Sequence, residues 1–292
     1  MNTDGINAAH KNAAFLLDLP LPRSIVATHD LGEMAQCDVL LIVTPAQFLR
    51  STLSALPPTT AALLLCAKGL EAGTQMLMSE VAASVCPANT IAVLSGPTFA
   101  HEVALRKPTA ITLACEDEGV GQSLVTHIAT PVFRPYWTDD VVGAEIGGAV
   151  KNVLAIGCGV VDGAGLGLNA RAALIARGFA EMQRYGRARG ARAETLAGLS
   201  GLGDLVLTCS SENSRNFALG RGLGQGQKAA DLLANRRSVA EGAATAPVLA
   251  ASAKALGVEM PIVDAVCALL NGSHSIEQVV GDLLRRPLKA EY

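Results

Sequence analysis

Apolar residues in the first half of the chain gather into short unbroken runs, and between the runs they recur every three or four positions. Residues 39–44 (VLLIVT) follow Asp38 and stop at Pro45, the pattern of a strand buried on both faces. Runs of the same kind lie at 61–67 (AALLLCA), 90–94 (TIAVL), 110–114 (AITLA) and 132–136 (VFRPY). The segments between them, near 47–56, 74–85, 99–106 and 119–129, carry helical spacing. Strand and helix alternating at these lengths predict right-handed βαβ units and a mostly parallel sheet. One further strand-like run, 24–27 (SIVA), precedes them.

After about Asp140 the strand pattern stops. From there the chain reads as helices separated by breaks containing Gly, Pro and Asn. The expected organisation is an α/β domain over residues 1–142 and an all-helical domain over 143–292. A chain of 292 residues with 50% hydrophobic residues can bury two such cores.

Composition narrows the function classes. A net charge of −3 and 3% aromatic residues provide neither the basic face nor the stacking platforms of a nucleic-acid binder. Mean hydropathy is +0.35, yet no unbroken apolar run approaches the roughly 18 residues of a spanning helix. Cys37, Cys66, Cys86, Cys115, Cys158, Cys209 and Cys267 are scattered without a C-x-x-C pair, as expected of reduced thiols, and no metal site is expected. The opening MNTDGINAAH is too polar for a secretory signal, which points to a cytoplasmic protein.

Five stretches carry chemistry. Lys68 stands at the carboxyl end of the 61–67 run, the edge where open α/β sheets bind ligands. SGPTFA (95–100) follows the next strand; Gly96 would let backbone approach a ligand, and Thr98 and Ala100 would open a helix with free N–H groups. In EIGGAVKNVLAIGCGVVDG (145–163) a single cation, Lys151, interrupts the most core-like segment of the chain. Ala144, Gly148, Ala155 and Cys158 share a helical face there, and their small size would let another molecule lie close to the lysine. Asp204 is an acid among Gly, Leu and Val, and Ser214–Arg215–Asn216 opens a helix, where backbone N–H groups and a guanidinium together suit a phosphate. Val239 and Glu241 precede an alanine-rich helix. Each stretch alone also has a plainer reading: a solvated loop lysine, a capped βα turn, a lysine snorkelling to the surface, a capped helix. GLGLNA (165–170) and GQGQKA (224–229) match G-x-G-x-x-A but lie among helices, where glycine ordinarily ends a helix.

Taken in order, AKGLE, LSGPTFAHEVA, EIGGAVKNVLAIG, GLSGLGDLVLTCSSENSRN and VAEG resemble the bacterial type of NAD(P)-dependent glycerol-3-phosphate dehydrogenase over essentially the whole chain. The resemblance implies a Rossmann-like, doubly wound parallel sheet followed by an all-α domain. It implies reversible reduction of dihydroxyacetone phosphate to sn-glycerol 3-phosphate with NADH or NADPH, for phospholipid synthesis, and a homodimer as the family's expectation. On this basis Lys151 is the general acid, Asp204 orients it, and Lys68 polarises the carbonyl. Arg215, Ser214 and Asn216 hold the phosphate beside Gly96 and Thr98, with Asn152 and Thr208 as supporting donors. Ala100, Val239 and Glu241 fall on the cofactor side, joined by Lys68 and Arg215.

INAAHKNAAFLLDLPLP near the start resembles the family segment just after its second strand. The glycine-rich loop that normally follows a first strand has no counterpart, so the expected sheet is N-terminally truncated. Two other readings stand beside the main one. They are a related hydroxyacid or 6-phosphogluconate-type dehydrogenase, and a folded but inactive binding protein.

Overall fold

The computed structural model describes residues 3–16, 19–234, 240–288 and 290. Two short helices, α1 (Thr3–Ala9) and α2 (Leu31–Met34), lead into a five-stranded sheet. The strands are β1 (Val39–Ile42), β2 (Ala62–Leu65), β3 (Ile91–Ser95), β4 (Thr109–Cys115) and β5 (Phe133–Thr138), hydrogen-bonded in that order. Helices α3 (Leu49–Ala55), α4 (Met78–Val85), α5 (Ala100–Ala104) and α6 (Glu118–Ile128) lie between successive strands. One face of the sheet packs Leu40, Ile42, Leu63 and Leu65 against Leu49, Leu53, Met78 and Val81; the other packs Leu64, Leu113 and Cys115 against Leu124 of α6. Burial on both faces is why the central strands β2, β3 and β4 read as continuous apolar runs. The run at 39–44 departs from that expectation: Leu40 and Ile42 are buried, but Leu41 and Val43 are exposed, because β1 is an edge strand covered on one face only.

Three of the four strand pairings are parallel, and β4 runs antiparallel to β3. The run at 24–27 forms no strand. Asn7 satisfies Ala27 instead, accepting its N–H at 2.7 Å and donating to its carbonyl at 2.9 Å.

Beyond β5 the described residues are helical: α7 (Val141–Gly163), α8 (Gly167–Ala188), α9 (Ala193–Ala197), α10 (Asp204–Cys209), α11 (Arg215–Gly224), α12 (Ala229–Ala234), α13 (Glu241–Ala255), α14 (Pro261–Leu270) and α15 (Ile276–Leu284). Asp140 starts α7 by accepting from Gly143 N at 2.8 Å. This helix is apolar all round because it is the axle of the helical half, surrounded by α8, α10, α11, α13 and α14. It is long and apolar enough to cross a membrane, but 94% of its most apolar window is buried inside the molecule.

The glycines of α7 serve close packing. A Cβ on Gly159 or Gly163 would overlap the backbone of α11, and one on Gly220 or Gly224 of α11 would overlap the backbone of α7. Ala144, Ala155 and Cys158 are fully buried in the apolar cores, and Gly148 faces Ser95 and the Lys68 stem. The small-residue face is therefore helix–helix and helix–sheet packing, not the wall of a ligand pocket. Gly165, Gly167 and Gly226 take positive φ at helix ends, the ordinary use of glycine there.

Candidate active site

The axle helix packs against β3 and β4, with Gly148 beside Ser95 at the carboxyl end of β3 and Lys68 in the turn after β2, and a cluster of buried charge lies there. Lys151 Nζ donates to Asp204 Oδ1 at 2.8 Å and to Thr208 Oγ1 at 2.9 Å. Lys68 Nζ, from the turn after β2, donates to the other oxygen, Asp204 Oδ2, at 2.7 Å, and lies 3.5 Å from the Gly96 carbonyl. Thr208 Oγ1 in turn donates to Asp204 Oδ1 at 3.2 Å. One carboxylate thus holds two ammonium groups. A π-helical turn, Leu199–Gly203, delivers Asp204 to the N-terminus of α10, where a negative charge is favoured.

Burial sets the electrostatics. Desolvation pulls the Lys151 ammonium down to about 8; the neighbouring Lys68 charge pulls the same way, and Asp204 opposes both. For Asp204 burial pushes upward, but the charges of Lys68 and Lys151 outweigh it and hold the carboxyl below its ordinary range. Glu241 is raised by its burial, against the pull of the Ala46 N–H and of Arg215, Lys68 and Lys151.

A cavity of about 520 Å³ opens onto this cluster. Lys68, Thr98, Lys151, Ser214, Arg215, Asn216 and Glu241 line it, together with Asn152 and Thr208. Ser214 caps α11 by accepting from Phe217 N at 3.2 Å, which brings the helix N-terminus and Arg215 to the cavity. Asn216 Oδ1 accepts from Gly242 N at 3.0 Å, and Glu241 accepts from Ala46 N at 3.3 Å; together they tie α13 to the site.

The family follows from comparison with known proteins. Family models for the NAD-dependent glycerol-3-phosphate dehydrogenase N-terminus and C-terminus match residues 1–120 and 140–281. A glycerol-3-phosphate dehydrogenase [NAD(P)+] of Novosphingobium aromaticivorans is 60% identical, the match covering 98% of this chain and 87% of the relative. One of Sphingopyxis alaskensis is 58% identical over the same shares of each chain. The chain belongs to the NAD-dependent glycerol-3-phosphate dehydrogenase family. Among solved structures, glycerol-3-phosphate dehydrogenase of Coxiella burnetii superposes with a TM-score of 0.92 at 36% identity, over 98% of this chain and 89% of that one. Membership displaces the hydroxyacid and 6-phosphogluconate-type alternative.

Not every expected residue of this family member reaches the cavity. Asp204 is 1% exposed and sits behind the lysines. Gly96 packs on β4, where a Cβ would come 3.0 Å from Ile111 Cγ1, and it is not among the residues that line the cavity. Ala100 is exposed at the start of α5 and is not part of the lining. Val239 lies outside the described residues. Glu241 is the first residue of α13 and not a loop residue. Thr44, Cys66, Phe99, Asn213 and Phe15 line the cavity without having been singled out. Asn213, next to Ser214–Arg215–Asn216, was the one most open to detection.

The residues present fit the reacting end of a nicotinamide dinucleotide. Strand carboxyl ends line the cavity, and Thr44 Oγ1 at the end of β1 is buried with no hydrogen-bond partner. Among the described residues no G-x-G-x-x-G joins a strand to a helix, so nothing comparable is seen for the pyrophosphate.

Proposed function

We propose that this chain catalyses the NAD(P)-dependent interconversion of dihydroxyacetone phosphate and sn-glycerol 3-phosphate, in the direction of reduction, as a source of glycerol phosphate for glycerophospholipid synthesis. The observation that carries the reading is the pair of lysines on one buried aspartate, opening onto a cavity that also holds Arg215. With Lys151 near 8, its ammonium is mostly charged at neutral pH, the form that proton donation in the reductive direction needs.

The nicotinamide, when bound, supplies a hydride to the ketone carbon. Lys151 Nζ gives its proton to the carbonyl oxygen as negative charge develops there, and in the reverse direction it takes that proton back. Lys68, 2.7 Å from the outer oxygen of Asp204, stabilises the same developing charge. Asp204 fixes both ammonium groups, and Thr208 fixes Lys151 within that frame. Arg215, Ser214 and Asn216 at the start of α11 hold the phosphate, with Thr98 lining the same cavity. Three cations face two carboxylates here, an excess that suits a phosphorylated substrate. Thr44, Lys68, Arg215 and Glu241 would hold the nicotinamide end of the dinucleotide, with Ala100 and Val239 as proposed members of that side. We place the division of labour at residues 1–142 for the dinucleotide and 143–292 for the substrate.

The test is consumption of NADH or NADPH by the native chain with dihydroxyacetone phosphate and, separately, with unphosphorylated dihydroxyacetone. Turnover of the phosphorylated ketone alone is expected. In Arg215→Ala, KM for that ketone should rise about tenfold or more, the worth of a charge-assisted bond to phosphate. No turnover of either ketone, with no NADH binding, would favour the inactive binding protein and overturn the reading.

A further inference from the structure

Lys68 reaches Asp204 through a narrow gap between the sheet and α7. A Cβ on Gly148 would lie 3.2 and 3.3 Å from Lys68 Cγ and Cδ, and 3.0 Å from Ser95 Oγ. Ordinary carbon contacts are about 3.5–4.0 Å, so another carbon there would make the lysine stem give way by a few tenths of an ångström. Ser95 ends β3, is 2% exposed, and its hydroxyl has no hydrogen-bond partner. An unpaired buried hydroxyl costs about 1–3 kcal/mol, so a satisfied hydrogen bond does not account for this residue. Its small size does: Ser95 Oγ and the Lys68 Cγ and Cδ all lie within 3.0–3.3 Å of one point beside Gly148, so the end of β3 and the bare helix backbone border a lysine stem that would otherwise sample many rotamers.

We infer that Ser95 and Gly148 are positioning residues, forming a slot that holds the Lys68 side chain with its ammonium on the outer oxygen of Asp204. The inference deepens the functional reading above. Lys68 is useful only where it is held. At that place its charge stabilises the developing oxyanion and bears on Lys151 through their shared carboxylate. A wider side chain in either wall displaces the stem, and with it the charge.

Lys151 offers a readout that a purely structural slot would not move. It is faced by Asp204 and Cys209 from α10, by Lys68 from the turn after β2, and by Glu241 from α13, and Arg215 of α11 lines the same cavity. Of these, Lys68 is the one the slot controls, and its charge lowers Lys151. Displacing Lys68 should therefore raise the Lys151 titration.

In the full chain, Gly148→Ala is expected to lower kcat/KM for ketone reduction about three- to tenfold, less than the roughly hundredfold of a 1 Å misplacement because the stem need give only by a few tenths of an ångström. It should also move the alkaline limb of the pH profile upward, by about 0.2–0.5 of a unit. Ser95→Thr narrows the slot from the strand side and should do the same to a smaller degree; should Gly148→Ala fail to fold, Ser95→Thr decides. The double variant Gly148→Ala, Ser95→Gly returns space and should move the limb back toward the native position. An NMR titration of 13C-labelled lysine in the same proteins reads Lys151 without turnover. It separates this inference from the assigned reaction, because a native chain that reduces no ketone refutes the reaction while the titration still judges the slot. An unchanged Lys151 titration in the folded variants overturns the inference.

Discussion

Asp204 and Glu145 are both carboxylates buried where α7 meets other elements, and their surroundings drive them in opposite directions. Glu145, in the second turn of α7, accepts from Ser79 N at 2.8 Å and from Ser79 Oγ at 2.5 Å, and burial pushes it up to about 7. The Ser79 bonds lower it only in part. Asp204 suffers the same desolvation, but two ammonium groups overcome it. Glu181 repeats the Glu145 arrangement: it accepts from Ile262 N at 2.8 Å at the start of α14 and is also pushed to about 7 by burial. Two carboxylates that brace helix starts sit among neutral donors. The one at the cavity carries charges on both sides. The neighbours' charge, not depth of burial, separates the two braces from the charged cluster at the cavity.

The comparison can be broken at either end. Lys151→Ala removes the proton donor from the charged centre, and a fall in kcat of about 10²–10⁴ is expected with the fold kept, as checked by steady-state kinetics beside circular dichroism. Asp204→Asn leaves the buried Lys151 ammonium and the half-buried Lys68 ammonium without their counter-charge. A loss of about 3–5 kcal/mol in denaturant unfolding should follow, and the Lys151 titration should drop further, because Asp204 is what raises it. At the brace, Glu145→Gln should leave kcat nearly untouched and alter only the pH dependence of stability. A carboxyl raised from 4.5 to about 7 contributes stability that is fully present below pH 4.5 and is lost as pH rises through 7, on the order of 3 kcal/mol. Urea midpoints measured between pH 4.5 and 7.5 should fall less steeply in the variant. Asp204 has the opposite sign: its contribution holds above pH 3.8 and is lost in stronger acid.

Much of this was legible in the residues. The apolar runs located all five strands within a few positions, and the lone lysine in 145–163 marked the charged cluster at the cavity. What escaped detection did so for physical reasons. The 24–27 run has strand composition, but strands need partners, and Asn7 supplies side-chain bonds in their place. The direction of β4 was hidden because the connection over residues 96–108 is long enough for a parallel crossover and contains a short helix. The small residues around Lys151 read as room for a ligand. Glycine at close helix contacts and glycine at a pocket look alike until the neighbouring backbone is placed. Thr44, Phe99 and Phe15 reach the cavity from separate segments, and no local spacing connects them.

The central claim is that Lys151, lowered by burial and by Lys68, supplies the proton. The most direct measurement is kcat/KM for dihydroxyacetone phosphate reduction between pH 6 and 10, which follows the free enzyme's acid. A single ionisation near pH 8, with activity falling as pH rises through it, is the predicted result. A profile that stays level up to pH 10 would contradict it.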